Sequence, residues 1–199
     1  MVRKRSSTLV RRKQIINAAA KLIVKYGSEH VTIKRIAKEI GTSESAIYRH
    51  FKSKKDILSL LVDDIENTLL SEVELNPAES PYTLETLERV FTDHMSSIVL
   101  RRGISFQVIA EIISFGDQKL NRKVCDVVNK YTGRIRDILS EGVKTGAIRQ
   151  DIDLEAMSVI FFGMTQGLVN IWTLSQYSFD LKQKYAALWS VFREVVSRR

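Results

Sequence analysis

The sequence predicts an all-α fold of about nine helices. Its 199 residues include only 2 Pro and 9 Gly, and folds built from strands need many turns, which these two residues favour. Apolar residues make up 44% and recur at three- and four-residue intervals, the spacing of one helix face. Charged residues make up 27%, so the composition is that of a globular chain with enough apolar side chains to form a core.

The first four helices are predicted to follow one another closely. Their predicted bounds are Leu9–Tyr26, Ile33–Ile40, Glu44–Phe51 and 54–75. Gly27 stands where a left-handed C-cap would end the first helix. Thr32 and the pair Thr42–Ser43 are suitable N-caps for the next two helices. Ser53 and Asp56 fit the capping-box pattern at the start of the fourth.

A linker is predicted at 76–83, which contains both prolines. Five more helices are predicted beyond it, at 83–101, 104–115, 118–145, 153–176 and 180–198. Gly103, Gly116 and Gly146 separate some of them, and Asp153 is a suitable N-cap. We therefore predict a small N-terminal domain at 9–69 and a larger helical domain at 70–199.

The positive charge is concentrated at the N-terminal end. Residues 1–60 carry 15 Lys and Arg against 4 Asp and Glu, a net charge of +11, whereas residues 61–199 carry a net charge of −3. This asymmetry indicates a module that meets a polyanion, either nucleic acid or an anionic membrane. A solvated basic surface without a partner is the alternative.

Residues 32–51 have the pattern of a helix-turn-helix motif. Two short predicted helices meet at Gly41 through a turn of about three residues, and small Ala37 allows them to approach closely. The apolar residues Ile36, Ile40, Ile47 and Phe51 are predicted to hold the pair against the first and fourth helices. An ordinary helical hairpin with a solvated polar face is the alternative, but the surrounding charge favours DNA binding, and a membrane surface requires no such turn.

Residues 9–69 resemble the DNA-binding domain of the TetR family of bacterial transcriptional repressors. The matching patterns are Ile16-x-Ala18-Ala19-x-x-Leu22-x-x-x-x-Gly27, Thr32-x-x-x-Ile36-Ala37-x-x-x-Gly41-x-Ser43 and Ile47-Tyr48-x-His50-Phe51-x-Ser53-Lys54. Two positions depart from the pattern: Ser45 stands where the family often has Gly, and Ile23 where it often has Phe. Ser45 puts the operator preference in question.

The resemblance implies which residues contact DNA. Phosphate contacts are expected from Thr32, Tyr48, His50 and Lys54, and further backbone contacts from Lys34, Arg35 and Lys52. Base edges or nearby backbone are expected for Thr42, Ser43, Glu44, Ser45 and Arg49. Arg49 fits a guanine contact and a phosphate contact equally well. Residues 3–5 and 11–13 are interpreted as a basic arm or as a solvated terminus.

The resemblance also implies a ligand cavity in the larger domain. An apolar effector is expected to lie among side chains that would otherwise be plain core, with a few polar groups to orient it. The predicted ligand residues are Phe91, His94, Phe106, Gln107, Glu111, Tyr131, Phe162, Gln166 and Asn170. No pattern in the sequence identifies the effector.

The last two helices are predicted to form a dimer interface, as the resemblance implies. Each has a broad apolar stripe, for which burial within one subunit is the alternative. The predicted interface residues are Met164, Gly167, Leu168, Ile171, Leu181, Tyr185, Leu188 and Phe192. A two-fold symmetric dimer suits a palindromic, inverted-repeat operator.

Other classes of function lack support in the sequence. Nothing resembles a phosphate-binding loop or a nucleophile elbow, and one Cys with three scattered His lacks the spacing of a metal site. We expect no catalytic residues, no metal and no cofactor. No apolar run reaches the roughly 18 residues that cross a bilayer. The sequence thus predicts a cytoplasmic, homodimeric DNA-binding regulator, a repressor released from its operator by a small, largely apolar effector.

Overall fold

The computed structural model describes residues 8–27 and 30–197, and these ranges form nine α-helices. The helices are α1 (Thr8–Tyr26), α2 (Ile33–Glu39), α3 (Glu44–Tyr48), α4 (Lys54–Ser71), α5 (Leu84–Leu100), α6 (Ile104–Phe115), α7 (Gln118–Lys144), α8 (Leu154–Leu174) and α9 (Leu181–Val196). A short 3₁₀ helix at Pro77–Glu79 lies in the predicted linker. The predicted all-α fold is confirmed, and most predicted helix ends agree to within two residues.

Two helices are shorter than predicted. The third ends at Tyr48 instead of Phe51, because the N–H groups of His50 and Phe51 both donate to the carbonyl of Ile47, at 2.8 and 3.1 Å, and tighten the last turn. The fourth ends at Ser71 instead of residue 75. Residues 72–75, predicted as its last turn, instead belong to a non-helical segment before the 3₁₀ helix.

The predicted caps are present. Thr32 Oγ1 accepts a hydrogen bond from Arg35 N–H at 3.1 Å, and Asp153 caps α8. At the start of α4, Asp56 Oδ2 accepts from Ser53 N–H at 3.1 Å, while Ser53 Oγ accepts from Asp56 N–H at 3.2 Å. This reciprocal pair is a capping box, and it fixes where α4 begins.

The chain divides into two compact units. The first unit contains the described residues up to Ile65 together with Gln107–Cys125, and the second contains Glu66–Phe106 and the residues from Asp126 onward. Helices α4, α6 and α7 therefore each contribute residues to both units. The boundary between a DNA-binding domain at 9–69 and a larger helical domain at 70–199 stays a prediction.

Each unit has its own apolar core. In the first unit most of the buried side chains come from α1 to α4 and the turn after α3, with others from α6 and α7, and they include Ile15, Ile23, Ile36, Ile47, Phe51, Ile57, Leu58, Ile109 and Ile112. In the second unit the core is rich in aromatic rings, among them Phe91, Phe106, Tyr131, Phe161 and Trp189. Rings pack closely there: the centroids of Phe91 and Phe161 are 4.3 Å apart.

Among the described residues, α8 is the one helix long and apolar enough to cross a bilayer by length and composition. By this test α8 departs from the expectation that no apolar run is long enough to cross a bilayer. A core helix of a packed helical protein passes the same test, and α8 buries Phe161, Leu168 and Trp172 in the second unit. Its buried Thr165 hydroxyl donates to the Phe161 carbonyl at 2.9 Å.

Gly142 in α7 packs closely against two buried side chains of the second unit. A Cβ atom at this position would lie 2.8 Å from Cδ1 of both Leu87 and Ile148, so these two buried side chains would have to shift. We expect Gly142→Ala to lower the free energy of unfolding by about 1–3 kcal/mol through overpacking, as measured by urea denaturation.

Gly133 in the same helix is the matched control. An added Cβ there would meet nothing within 4 Å, so Gly133→Ala should raise the free energy of unfolding by up to about 1 kcal/mol through helix propensity. Equal effects of the two substitutions would show that the α7 contact at Gly142 is not tight.

Candidate functional site

The helix-turn-helix in the first unit is formed by α2, α3 and the turn between them. Gly41 adopts a φ of +64° in the turn, a conformation that glycine reaches without steric cost. Thr42 N–H donates to the Ala37 carbonyl at 2.9 Å and closes the turn. Ile36 and Ile47 are fully buried, one from each helix. The motif predicted at 32–51 is thus present, with one apolar and one polar side.

The predicted DNA-contacting residues all lie in the first unit, on or beside these two helices. Exposed ones are Thr32, Lys34, Arg35, Ser43, Glu44, Ser45, Tyr48, Arg49 and Lys52, and half-buried ones are Thr42, His50 and Lys54. The Tyr48 side chain is an apolar ring left 53% exposed. An aromatic ring with a hydroxyl on an otherwise polar surface suits a contact to a sugar-phosphate backbone.

Ser45, one of the two departures from the family pattern, takes part in the hydrogen bonds at the start of α3. Ser43 caps this helix by accepting a hydrogen bond from Ala46 N–H at 3.3 Å. The hydroxyls of Ser43 and Ser45 lie 3.0 Å apart and share a hydrogen bond. Ser45 therefore supports the N-cap as well as presenting a hydroxyl on the exposed face.

Two arginines rest on aromatic rings of the first unit. The Arg35 guanidinium lies 5.4 Å from the Tyr26 ring centroid and donates to the His30 carbonyl at 3.4 Å. The Arg12 guanidinium lies 5.5 Å from the Phe51 ring centroid. Cation–π contacts of this kind orient a basic side chain without neutralising it. No sequence pattern indicated this role of Tyr26.

The predicted basic arm is only partly described. Residues 3–5 lie outside the described residues. Residues 11–13 belong to α1, so the prediction of an arm at 11–13 is wrong. Their helical conformation follows from the apolar periodicity of α1, which continues through this segment.

The turn between α6 and α7 contacts the start of α4 within the first unit, and sequence reasoning missed this. The Lys54 ammonium lies 5.1 Å from the Phe115 ring centroid, and Lys55 forms an ion pair with Asp117. The hydrogen bond from Lys55 is the main cause of a lowered pKa for the Asp117 carboxyl. Phe115 and Asp117 thereby hold two lysines at the edge of the helix-turn-helix.

The predicted ligand residues fall in both units. Phe91, His94, Phe106 and Tyr131 are buried in the second unit, where Phe162, Gln166 and Asn170 are half-buried. Gln107 and Glu111 belong to the first unit. The rings of Phe106, Tyr131 and Phe162 form a cluster with centroids 6.0–6.3 Å apart.

A chain of polar contacts leads into this ring cluster. The Tyr131 hydroxyl and His94 Nε2 are 2.7 Å apart, and His94 Nδ1 lies 3.3 Å from Glu72 Oε2. Ser97 donates to Glu72 Oε1 at 2.5 Å. Glu72 lies just after α4, and no sequence pattern indicated its role.

The Glu72 carboxyl is held in its charged form. Burial raises its pKa, but the contacts with His94 and Ser97 and the charge of Arg101 outweigh burial, so its pKa lies below the ordinary value. Burial also raises the pKa of Tyr131 well above its usual range. The polar chain therefore has a carboxylate at one end and a neutral phenol at the other.

Gln166 lies at the rim of the ring cluster. Its amide Nε2 donates to the Phe106 carbonyl at 3.3 Å and to Asn170 Oδ1 at 2.8 Å. Its Oε1 is buried and has no hydrogen-bond partner within the described ranges. Across those same ranges, no group of three or more His, Cys, Asp or Glu could hold a metal ion.

Half of the predicted interface residues are buried within their own chain. Leu168, Leu181, Tyr185 and Phe192 are at most 8% exposed, because they form the side of α8 and α9 that packs into the second unit. Met164, Gly167 and Leu188 are half-buried, and Ile171 is 59% exposed. Further large apolar side chains left exposed on these helices are Val159, Ile160, Leu174, Val191 and Val195.

We expect the Glu72 carboxylate to stabilise the fold in a pH-dependent way. Because the folded-state pKa is lowered, this stabilisation is present above the ordinary pKa of 4.5 and is lost as the pH falls through the folded-state value. Glu72→Gln should therefore lower the free energy of unfolding at pH 7 by about 1–3 kcal/mol. The difference from the unaltered chain should shrink below pH 4.5.

Glu74→Gln provides the control for this measurement. The Glu74 side chain is 59% exposed and lies 3.7 Å from Arg134, and exposed ion pairs contribute little. Urea denaturation at several pH values compares the variants. A Glu72→Gln effect that is the same at all pH values would contradict the role given to the carboxylate.

Comparisons with known proteins agree with this architecture. Residues 15–61 match the family of bacterial regulatory proteins, tetR family, and residues 54–194 match the YsiA-like protein, C-terminal region. A fatty acid metabolism regulator protein of Bacillus subtilis (strain 168) is 26% identical over 168 residues, covering 84% of this chain and 86% of that protein. A nucleoid occlusion factor SlmA of Vibrio atlanticus (strain LGP32) is 24% identical over 182 residues, covering 91% of this chain and 93% of that protein.

Solved structures share the fold. The FadR regulator of Bacillus subtilis in complex with stearoyl-CoA has a TM-score of 0.79 at 24% identity, covering 92% of this chain and 98% of that one. FadR of Bacillus halodurans has a TM-score of 0.82 at 21% identity, covering 99% of this chain and 100% of that one. The matched proteins are regulators, which fits the prediction that the chain is not an enzyme. The chain belongs to the TetR family of bacterial regulatory proteins and is a DNA-binding transcriptional regulator.

Proposed function

We propose that this chain is a cytoplasmic repressor that binds an inverted-repeat operator as a homodimer and is released by a small, largely apolar effector. Residues 9–69 bind the DNA, and residues 70–199 bind the effector and form the dimer. The observation that carries the proposal is the exposed polar side of α2 and α3 within a basic unit, opposite the buried Ile36 and Ile47.

The proposed DNA contacts divide into positioning and reading groups. Thr32, Tyr48, His50 and Lys54 bind phosphates and set the register on the duplex, while Thr42, Ser43, Glu44 and Ser45 face base edges. Lys34, Arg35 and Lys52 add backbone contacts. Arg49 follows α3 directly and is exposed, a place from which it can contact either a guanine or a phosphate.

The proposed effector is an acyl compound with a long apolar chain. The ring cluster of Phe106, Tyr131 and Phe162 supplies an apolar surface, and the polar chain from Glu72 and the unpaired Gln166 Oε1 supply groups that orient a ligand. The similarity to the fatty acid metabolism regulator protein of Bacillus subtilis, and to the structure of Bacillus subtilis FadR in complex with stearoyl-CoA, supports the same class of ligand here.

The proposed dimer uses the exposed apolar residues of α8 and α9. Leu174 is 84% exposed and Val191 is 61% exposed, so these helices leave apolar surface uncovered in the single chain. A second copy is the proposed occupant, since the family resemblance implies a bundle of these helices. Two-fold symmetry then requires an operator with two matching half-sites.

Substitutions in the first unit test the DNA-binding proposal in gel-shift assays against the operator and an unrelated duplex. Lys54→Ala should weaken binding to both duplexes about equally and reduce the salt slope by about one, as expected for a lost phosphate contact. Arg49→Ala should relax the preference at one base pair if Arg49 reads a base, and otherwise weaken binding evenly.

Lys144→Ala is the control for these assays. Lys144 is an exposed lysine of α7 that pairs with Glu141 in the second unit, so its loss removes the same charge without touching the helix-turn-helix. Equal affinity of the unaltered chain for every duplex at all salt concentrations would contradict operator recognition.

A further inference from the structure

The end of α1 presents an exposed aromatic ring to two positive charges. Tyr26 is the last residue of α1, and its side chain is 46% exposed. The Arg35 guanidinium, from α2, lies 5.4 Å from the centroid of this ring, and the Lys25 ammonium lies 5.0 Å from it. All three residues are exposed and belong to the first unit, so a molecule outside the chain can reach them.

Both cations keep their charge. Within the part of the chain that the structure describes, neither Lys25 nor Arg35 forms an ion pair with a carboxylate. Many basic side chains of the second unit differ in this respect, as Lys130 does by pairing with Glu66 at 2.6 Å. An aromatic ring attracts a cation through its quadrupole and does not neutralise it. The positive charge at the end of α1 is therefore available to a polyanion.

Arg35 is held by its backbone and by its side chain. Its backbone N–H donates to Thr32 Oγ1 at 3.1 Å, and its guanidinium donates to the His30 carbonyl at 3.4 Å. A guanidinium has five N–H donors, so the other donors are left for a ligand. A side chain that is held in place before binding loses less conformational entropy when it binds. The Tyr26 ring thus prepares Arg35 for a partner.

We propose that Tyr26 is a positioning residue for DNA binding, whose ring holds Arg35 in place for a phosphate of the duplex. Arg35 lies three residues from Thr32, so the two side chains are near enough to serve one stretch of the sugar-phosphate backbone. Lys25 adds a second positive charge beside the same ring. Tyr26 belongs to α1 and lies outside the helix-turn-helix. The inference rests on the phosphate contacts proposed above for Thr32 and Arg35.

Two substitutions of Tyr26 test this role by DNA affinity. The probe is a mixed-sequence DNA duplex at low salt, because phosphate contacts serve any sequence. Tyr26→Leu removes the ring and should weaken binding about two- to fivefold, the worth of one exposed cation–π contact. Tyr26→Phe keeps the ring and should bind like the unaltered chain. The melting temperature of each variant shows whether it is folded.

A double-mutant cycle shows whether Tyr26 acts through Arg35. Arg35→Ala should weaken binding and reduce the salt slope by about one, as expected for a lost phosphate contact. In that background Tyr26→Leu should lose most of its effect, because the ring then has no arginine to hold. Lys34→Ala is the matched control, since it removes another exposed cation of α2. In the Lys34→Ala background Tyr26→Leu should keep its full effect.

Unchanged DNA affinity of a folded Tyr26→Leu variant overturns the proposal, as does an Arg35→Ala variant that binds normally. Additive effects of these two substitutions also overturn it. So does a Tyr26→Phe variant that binds as weakly as Tyr26→Leu, because the hydroxyl would then be the group that matters. Failure of the proposed operator recognition is a separate result: a chain that prefers no duplex over another still shows this cycle, since the cycle measures phosphate contacts alone.

Discussion

The burial of Ile47 is the constraint on which DNA recognition by this chain depends. Helix α3 has five residues, far too few to be stable alone in water, and it is held by burying Ile47 together with Phe51 in the core of the first unit. Because successive residues of a helix are turned by about 100°, burying Ile47 turns Ser45 and Arg49 outward. The same packing that stabilises the short helix therefore determines which side chains it exposes.

The second unit contains a largely buried carboxylate, that of Glu72. Glu72 would be costly to bury alone, since an unpaired charge in an apolar interior is strongly disfavoured, and its contacts with Ser97, Arg101 and His94 make it tolerable. The chain of contacts ends at Tyr131, inside the ring cluster. Under our proposal the effector site is thus an apolar surface with one polar end, and Glu72 is what fixes the polar end in place.

Features that depend on residues close together in the sequence could be predicted, and contacts between different helices could not. The caps at Thr32 and Asp153 were predicted because a cap depends on residues a few positions apart. Glu72 and Asp117 were missed, since their partners come from other helices and no spacing records such contacts. The apolar stripe of α9 predicted an interface but could not show that residues such as Tyr185 face the chain's own core, because a helix with apolar residues on two sides does not show which side is buried.

Under our proposal, effector binding and operator binding are coupled. Helix α4 contributes residues to both units. Lys54 of the proposed DNA site is its first residue, and Glu72 of the proposed effector site directly follows its last one. Coupling of two ligands is reciprocal: if one lowers the affinity for the other, the converse holds by the same factor. The most direct measurement is the affinity for operator with and without stearoyl-CoA, together with the affinity for stearoyl-CoA with and without operator. We expect two equal decreases in affinity, and an operator affinity that stearoyl-CoA leaves unchanged would contradict the proposed coupling.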